Sequence, residues 1–153
     1  MSDLPTAAPA VVLPRDGGTA LDISKLRPDW VVLFFYPRDD TSGCTKEALA
    51  FTALQADFAA LGAQVVGISK DSVASHDKFV AKYQLTIPLL SDENDTVCET
   101  FGVWKEKSMY GKTYMGIERS TFLIDRDGQI AKEWRKVKVP GHAEAVLQTL
   151  KDK

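Results

Sequence analysis

Residues 31–36 (VVLFFY) constrain the fold more than any other part of this sequence. The run is apolar, β-branched and aromatic, it does not alternate with polar residues, and Pro37 follows it directly. A strand with one face in water would alternate, so the run predicts a central strand that is covered on both faces. Such a strand requires helices on both sides of its sheet.

The rest of the chain predicts strands and helices that alternate. The first helix is capped by Thr41 or Ser42 and closed at Gly62, and a strand at 63–69 follows it. A helix capped by Ser72 and a strand at 87–90 come next. The remaining predicted elements are a short helix with Val97, Cys98 and Phe101, a hairpin of 120–125 with 130–135, and a last helix that buries Val146, Leu147 and Leu150. This order predicts an α/β fold with a mixed central sheet flanked by helices, and a thioredoxin-like sandwich fits it best among small folds. A Rossmann-type fold is excluded because no GxGxxG motif follows a strand.

Length and composition narrow the function. The 153 residues predict one domain, with residues 1–9 as a loose lead. The net charge of -2 argues against nucleic-acid binding, and no apolar run reaches the roughly 20 residues of a membrane span. The first residues lack the pattern of a signal peptide, and two cysteines cannot form a disulfide scaffold. We therefore expect a protein of a reducing, cytoplasmic compartment, without a membrane partner.

Cys44 is the candidate nucleophile because it falls in the first turn of the helix that follows the central strand. Free N–H groups and the helix dipole stabilise a thiolate there, although the dipole contributes only about 0.3–1 kcal/mol, or about 2 in a favourable site. A guanidinium at ~4 Å would add about 4 kcal/mol at an effective dielectric constant near 20. The sequence thus predicts an arginine beside Cys44, and the residues alone leave Arg38 and Arg119 open, each with a surface role as the alternative.

Other polar residues have simpler interpretations. We expect Asp39 and Asp40 to be solvated loop charges, since a carboxylate facing Cys44 would oppose its ionisation. Glu47, in the same helical start, is expected to be a solvated charge, and the alternative is that it orients its neighbours. His76 and His142 are expected at helix starts or on the surface, away from both cysteines. No cysteine and histidine pair has metal-ligand spacing, so neither a metal nor another cofactor is predicted.

The stretch FFYPRDDTSGCTKE resembles the active site of the peroxiredoxins, whose signature Pro-x-x-x-Thr-x-x-Cys is met by Pro37, Thr41 and Cys44. From about residue 10 onward the chain is similar to the bacterioferritin comigratory protein branch, also called the PrxQ branch, through VVGISKDSVASHDKF, the segment from IPLLSDEND to STFLID, and the RDG turn. The resemblance implies that Arg119, the arginine before STFLID, belongs to the active site.

The resemblance also implies the reaction. The Cys44 thiolate attacks one oxygen of hydrogen peroxide or an organic hydroperoxide, the other oxygen leaves, and Cys44 becomes a sulfenic acid. Thr41 is expected to accept a hydrogen bond from the peroxide while donating to the sulfur. Arg119 and the Cys44 N–H donate to the oxygens, and Pro37 shields the thiolate from water.

The sequence departs from many relatives in how the sulfenic acid is resolved. The position five residues after Cys44 is Leu49, and residues 78–83 hold no cysteine, which leaves Cys98 on a short apolar helix. We expect Cys98 to be a buried apolar residue, and we expect a one-cysteine mechanism in which glutathione, a glutaredoxin or thioredoxin is the external thiol. The alternatives are a two-cysteine mechanism, with Cys98 resolving and thioredoxin as reductant, and a non-catalytic binding module of the same fold.

The oligomeric state is left open by the residues, and the resemblance favours a monomer or weak homodimer. A cluster of aromatic and methionine residues before Arg119 is either core or a flap or dimer surface over the pocket. Its members are Trp104, Met109, Tyr110, Tyr114 and Met115.

Overall fold

A six-stranded mixed sheet with helices on both faces organises residues 5–153, which are the part of the chain described in the computed structural model. Its order is β1-β10-β9-β4-β5-β6. The strands of this sheet are β1 (Thr6–Ala7), β4 (Trp30–Phe35), β5 (Ala63–Ser69), β6 (Leu89–Ser91), β9 (Ser120–Ile124) and β10 (Gln129–Trp134). The predicted mixed sheet between helices, in a thioredoxin-like sandwich, is confirmed.

Within the described part of the chain, four α-helices and two separate hairpins complete the fold. The helices are α1 (Ser42–Ala60), α2 (Val73–Tyr83), α3 (Val97–Thr100) and α4 (His142–Lys151), with a 3-10 helix at Ile23–Leu26. The hairpins are β2 (Val12–Pro14) with β3 (Ala20–Asp22), and β7 (Trp104–Met109) with β8 (Lys112–Ile117). Among residues 5–153, no helix is both long and apolar enough to cross a membrane.

Strand β4 lies in the middle of the sheet, as its apolar run predicts. It pairs in parallel with β5 and antiparallel with β9, and residues 32–36 are fully buried. Its bounds are one residue earlier than predicted, although the Tyr36 N–H still donates to the Ile68 carbonyl at 3.1 Å. Strand β6 begins later than predicted, at Leu89, because Pro88 has no N–H for the ladder.

The N-terminal segment differs from the predicted loose lead. Thr6 and Ala7 pair with Ile130 and Gln129 and so form one edge of the sheet, while residues 1–4 lie outside the described residues. A two-residue edge strand carries no periodicity from which it could be predicted.

The aromatic and methionine cluster forms the β7–β8 hairpin. Trp104 is half-buried at its base, whereas Met109, Tyr110, Tyr114 and Met115 are exposed. The sequence left open whether this cluster is core or surface. The hairpin is exposed at its tip and packs against the core only at its base.

Two apolar cores lie on opposite faces of the sheet, and each contains one cysteine. The first packs α1, α2 and α4 against one face and includes Cys44. The second packs α3, the 3-10 helix and the β2–β3 hairpin against the other face and includes Cys98. The central sheet therefore separates the two thiols.

Candidate active site

Strand β4 and helix α1 together position Cys44. The chain leaves the sheet at Tyr36, turns at the half-buried Pro37, and enters α1 at Ser42 with Thr41 as its N-cap. Cys44 is the third residue of the helix and is only 1% exposed. Its sulfur thus lies at the positive end of a 19-residue helix, where a negative charge is stabilised.

The arginine predicted beside Cys44 is Arg119. Its Nη2 donates to the Cys44 Sγ at 3.4 Å. The sheet register brings it there, because β9 starts at Ser120 opposite Phe35, the last residue of β4. The side chain of Arg38, the other candidate, is exposed.

Glu47 completes this group and corrects the expectation of a solvated charge. Its Oε1 accepts from Arg119 Nη1 at 2.7 Å, and the residue is 1% exposed. Burial raises the pKa of Glu47 to about 7, and the opposing charge and hydrogen bond of Arg119 only partly offset that effect. Its spacing of three residues from Cys44 on a helix was the signal that could have revealed it.

The electrostatics favour a permanent positive charge at Arg119. Burial by itself would lower the pKa of Arg119, but the charges of Glu47 and Cys44 and their hydrogen bonds raise it above its ordinary value. The guanidinium consequently stays charged between the Glu47 carboxyl group and the Cys44 sulfur.

Thr41 has a different contact from the one expected. Its Oγ1 donates to the Arg38 carbonyl at 2.8 Å, and it makes no side-chain capping bond to α1. The hydroxyl has only one proton, so the expected donation to the Cys44 sulfur is absent from this structure. The lone pairs of this exposed oxygen are free to accept from a substrate.

Two expectations about carboxylates in the loop before α1 have different outcomes. Asp40 is exposed as expected, and it contacts Lys82 and Tyr83. Asp39 is 8% exposed rather than solvated, and its carboxylate accepts from Tyr36, which follows β4, and from Ser75 on α2. Partners distant in sequence account for that burial.

Both histidines lie at the start of a helix, one of the two positions expected, and both are buried rather than on the surface. His76 is fully buried and contacts Asp39. His142 starts α4 as expected, and its Nε2 lies 2.8 Å from the Thr121 Oγ1. Burial and then the Arg119 charge lower the pKa of His142 to about 4, so this ring is neutral at pH 7.

Cys98 has the environment of a structural cysteine. It is fully buried among apolar side chains, as expected, and its backbone N–H donates to Asp92 Oδ2 at 2.7 Å. Burial, followed by the hydrogen bond and charge of Asp92, raises the pKa of Cys98 well above its ordinary value. Its thiol is therefore protonated and a poor nucleophile at neutral pH.

Comparisons with known proteins agree with this geometry. The AhpC/TSA family model matches residues 5–133. The chain is 50% identical to Peroxiredoxin Bcp of Xanthomonas campestris over 97% of this chain and 93% of the relative. It is 49% identical to Peroxiredoxin Bcp of Bacillus subtilis, over 95% of this chain and 92% of that one.

Solved structures show the same similarity. A structure of Xanthomonas campestris Peroxiredoxin Q matches with 50% identity and a TM-score of 0.88, covering 93% of this chain and 90% of the other. A mutant of Xylella fastidiosa PrxQ matches with 43% identity and a TM-score of 0.90, covering 99% and 98%.

Proposed function

Because the chain belongs to the AhpC/TSA family, in the bacterioferritin comigratory protein branch of the peroxiredoxins, we propose that Cys44 is its peroxide-reducing nucleophile. The membership predicted from the sequence is confirmed, and the chain is a thiol-dependent peroxidase. Its substrate is a peroxide, and its reductant is a thiol. The observation that carries the assignment to Cys44 is the 3.4 Å contact between its sulfur and Arg119 Nη2.

In the first step, the Cys44 thiolate attacks one peroxide oxygen and an S–O bond forms as the O–O bond breaks. Sulfur loses two electrons and the peroxide gains them. The second oxygen leaves as hydroxide or alkoxide, which takes a proton from solvent to give water or an alcohol. Cys44 becomes a sulfenic acid.

Four groups around the sulfur support that displacement. Arg119 and the Cys44 backbone N–H donate to the oxygens as negative charge develops on them. Thr41 accepts from the peroxide O–H, because its own proton is already donated to the Arg38 carbonyl at 2.8 Å. Pro37 has no N–H and its half-buried ring limits water at the thiolate.

We further propose that the sulfenic acid is resolved by an external thiol. The free cysteines of the described chain are Cys44 and Cys98, and they lie in different cores across the central sheet. The exposed Leu49 occupies the position five residues after Cys44. An external thiolate would attack the sulfenic sulfur to give a mixed disulfide and hydroxide, which takes a proton from solvent to become water. A second thiol would then release Cys44 as a thiolate.

The reductant in this proposal is glutathione, a glutaredoxin or thioredoxin, and the compartment is a reducing one such as the cytoplasm. A monomer or weak homodimer suffices, because Cys44, Arg119 and Glu47 all come from one chain. The alternative, with Cys98 resolving and thioredoxin as reductant, would require the protein to bring two buried thiols together from opposite faces of the sheet.

The matched variants Cys44→Ser and Cys98→Ser test the proposal. Each is mixed with one equivalent of hydrogen peroxide, and its intact mass and remaining thiols are measured with and without a sulfenic-acid trap. We expect Cys98→Ser to consume peroxide, to form the trapped adduct and to turn over with a thiol reductant as the parent does, whereas Cys44→Ser does none of these.

Other outcomes discriminate among the alternatives. Loss of turnover in Cys98→Ser with a reductant that serves the parent would establish the two-cysteine mechanism. Peroxide consumption that persists unchanged in Cys44→Ser would refute the assignment of the nucleophile. An unmodified protein that consumes no peroxide would indicate a binding module.

A further inference from the structure

The loop between Pro37 and α1 is held in place by a cluster of buried polar side chains, and these side chains have no role in the peroxide reaction described above. Asp39, in the middle of this loop, receives three side-chain contacts. Tyr36 Oη donates to its Oδ1 at 2.6 Å, Ser75 Oγ donates to its Oδ2 at 2.8 Å, and His76 Nδ1 lies 2.7 Å from the same Oδ2.

The backbone of Asp39 is held as well. Its N–H donates to Asp71 Oδ2 at 2.8 Å, and that oxygen also accepts from Ser69 Oγ at 2.6 Å. Asp71 follows β5, and Ser75 and His76 lie on α2, so the loop is tied to two elements that are more than 30 residues away.

His76 must donate from both ring nitrogens. Nδ1 faces the Asp39 carboxylate, and Nε2 lies 2.9 Å from the Leu90 carbonyl on β6, so each nitrogen has an acceptor as its partner. A neutral imidazole has only one N–H, and the contacts therefore indicate an imidazolium paired with Asp39. Burial would lower the pKa of His76, but the hydrogen bond and charge of Asp39 raise it above the ordinary value.

Arg38 and Thr41 connect the contacts of Asp39 to the reacting groups. Arg38, next to Asp39, supplies the carbonyl that accepts the Thr41 proton at 2.8 Å, and Thr41 is the N-cap of the helix that holds Cys44. Movement of Asp39 would therefore change the direction of that carbonyl and of the hydroxyl bonded to it.

We propose that Asp39 and His76 are a positioning pair for the peroxide reaction, in which His76 holds Asp39 and thereby keeps the Arg38 carbonyl, the Thr41 hydroxyl and the start of α1 in their reactive arrangement. Neither residue touches the peroxide. This inference rests on the proposed function of Cys44.

The same residues have the spacing of a metal site, and their contacts favour the positioning role. Ligand atoms of Asp39, Asp71 and His76 lie within 4.8 Å of one another. However, hydroxyl and N–H donors of the protein already engage the Oδ2 atoms of both aspartates. A metal ion would have to displace these donors.

Two substitutions of His76 separate its contacts. Asparagine places an amide nitrogen near the position of Nδ1 and can still donate to Asp39, while glutamine reaches the position of Nε2 and can still donate to the Leu90 carbonyl. Each variant loses one buried hydrogen bond, so a purely structural role predicts similar losses of stability and of activity in both.

The readout is the second-order rate constant for oxidation of Cys44 by hydrogen peroxide, measured by quenched-flow and intact mass without any reductant. We expect His76→Gln to be slower than the parent by about tenfold or more, because a small misplacement of reacting groups has a large effect on rate, and His76→Asn to stay within about threefold. Equal losses in the two variants, or a parental rate in His76→Gln, would overturn the proposal.

If a His76 variant does not fold, a second set of two variants tests the same proposal. Ser75→Ala removes one donor to Asp39, whereas Ser72→Ala removes the N-cap of the same helix, whose hydroxyl accepts from the Ser75 N–H at 3.1 Å. We expect Ser75→Ala to slow oxidation by about two- to fivefold and Ser72→Ala to lower stability without that effect. Equal oxidation rates in Ser75→Ala and Ser72→Ala would refute the positioning role of Asp39 and His76. A parent protein that does not consume peroxide would instead refute the proposed function.

Discussion

Arg119 donates one terminal nitrogen to the Cys44 sulfur and the other to Glu47, at 3.4 and 2.7 Å. The fixed planar fork of a guanidinium allows both contacts at once, and an ammonium group could not reproduce them. Glu47 therefore orients the guanidinium beside Cys44, and when Glu47 is ionised its charge competes with a Cys44 thiolate for the same cation.

The first prediction concerns Arg119. We expect Arg119→Ala to slow peroxide reduction by about 10²–10³-fold, the usual effect of removing one donor that stabilises a developing oxyanion. The control is Arg126→Ala at the other end of β9, where an exposed guanidinium donates to the Pro28 carbonyl. Oxidation kinetics of the two variants should differ by that factor, and comparable rates would contradict the role of Arg119.

The second prediction concerns the dependence of stability on pH. The pKa of Glu47 is about 7 in the folded protein against an ordinary 4.5, so the folded state holds a proton that the unfolded state releases between these values. The free energy of unfolding should therefore lose about 3 kcal/mol from this group as pH rises from 4.5 to 7.

Glu47→Gln should remove that loss, which denaturant titrations at several pH values would measure as a difference from the parent. Asp57→Asn, on the exposed side of α1, is the matched control and should leave the slope unchanged. The same slope in Glu47→Gln as in the parent would show that Glu47 titrates normally.

Single charged residues were the least predictable part of the site. Cys44 was a candidate from its place at the start of a helix, and Thr41 and Pro37 entered through the resemblance to the peroxiredoxin signature. Asp39 and Glu47 were expected in solvent. Their burial depends on Arg119, which is 72 residues from Glu47, and on His76, which is 37 residues from Asp39. Apart from the three-residue spacing of Glu47 from Cys44, nothing local in the sequence indicates these partners.

At the scale of elements, the proposed site lies where the first turn of α1 packs against the residue that precedes β9. Gly43 is the residue that allows this close approach. A Cβ at Gly43 would lie 3.1 Å from Arg119 Nη2, which is closer than ordinary van der Waals contact. A side chain there would push the guanidinium away from Cys44.

The third prediction follows from this contact. Gly43→Ala should leave stability unchanged or raise it by up to about 1 kcal/mol, because alanine favours a helix, yet it should slow oxidation of Cys44 by about tenfold. Ser42→Ala, at the preceding exposed position, should leave the rate unchanged. Thermal unfolding and oxidation kinetics measure the two effects separately, and an unaltered rate in Gly43→Ala would argue against a critical Arg119 position.

Elements with a strong apolar pattern were predicted well. Strand β5 has the predicted bounds, and α2 begins after Ser72 as expected. The hairpins β2–β3 and β7–β8 were not predicted, because they are short or lie mostly in solvent and so lack a buried stripe. The β7 sequence WKEKSM, which is half-buried only at Trp104 and Lys107, illustrates this.

At the scale of the whole molecule, the central sheet separates Cys44, the proposed nucleophile, from Cys98, whose pKa is raised by burial. Cys44 packs with α1, α2 and α4, and Cys98 packs with α3 on the opposite face. The fourth prediction is that one equivalent of peroxide produces no Cys44–Cys98 disulfide. Peptide mapping without reduction should find Cys98 as a free thiol, and a linked pair of peptides would contradict the separation.

The most direct measurement of thiolate stabilisation at Cys44 is the pH profile of alkylation by iodoacetamide, followed by mass spectrometry from pH 5 to 9. We predict that the parent is labelled at Cys44 nearly as fast at pH 7 as at pH 9, and that Arg119→Ala is labelled more slowly at pH 7. Cys98, whose pKa is raised by burial, should stay unlabelled in both proteins and serve as the internal reference. A Cys44 rate that rises steeply near pH 8.5 in both proteins, as for an ordinary free thiol at about that pKa, would contradict the stabilised thiolate on which the account depends.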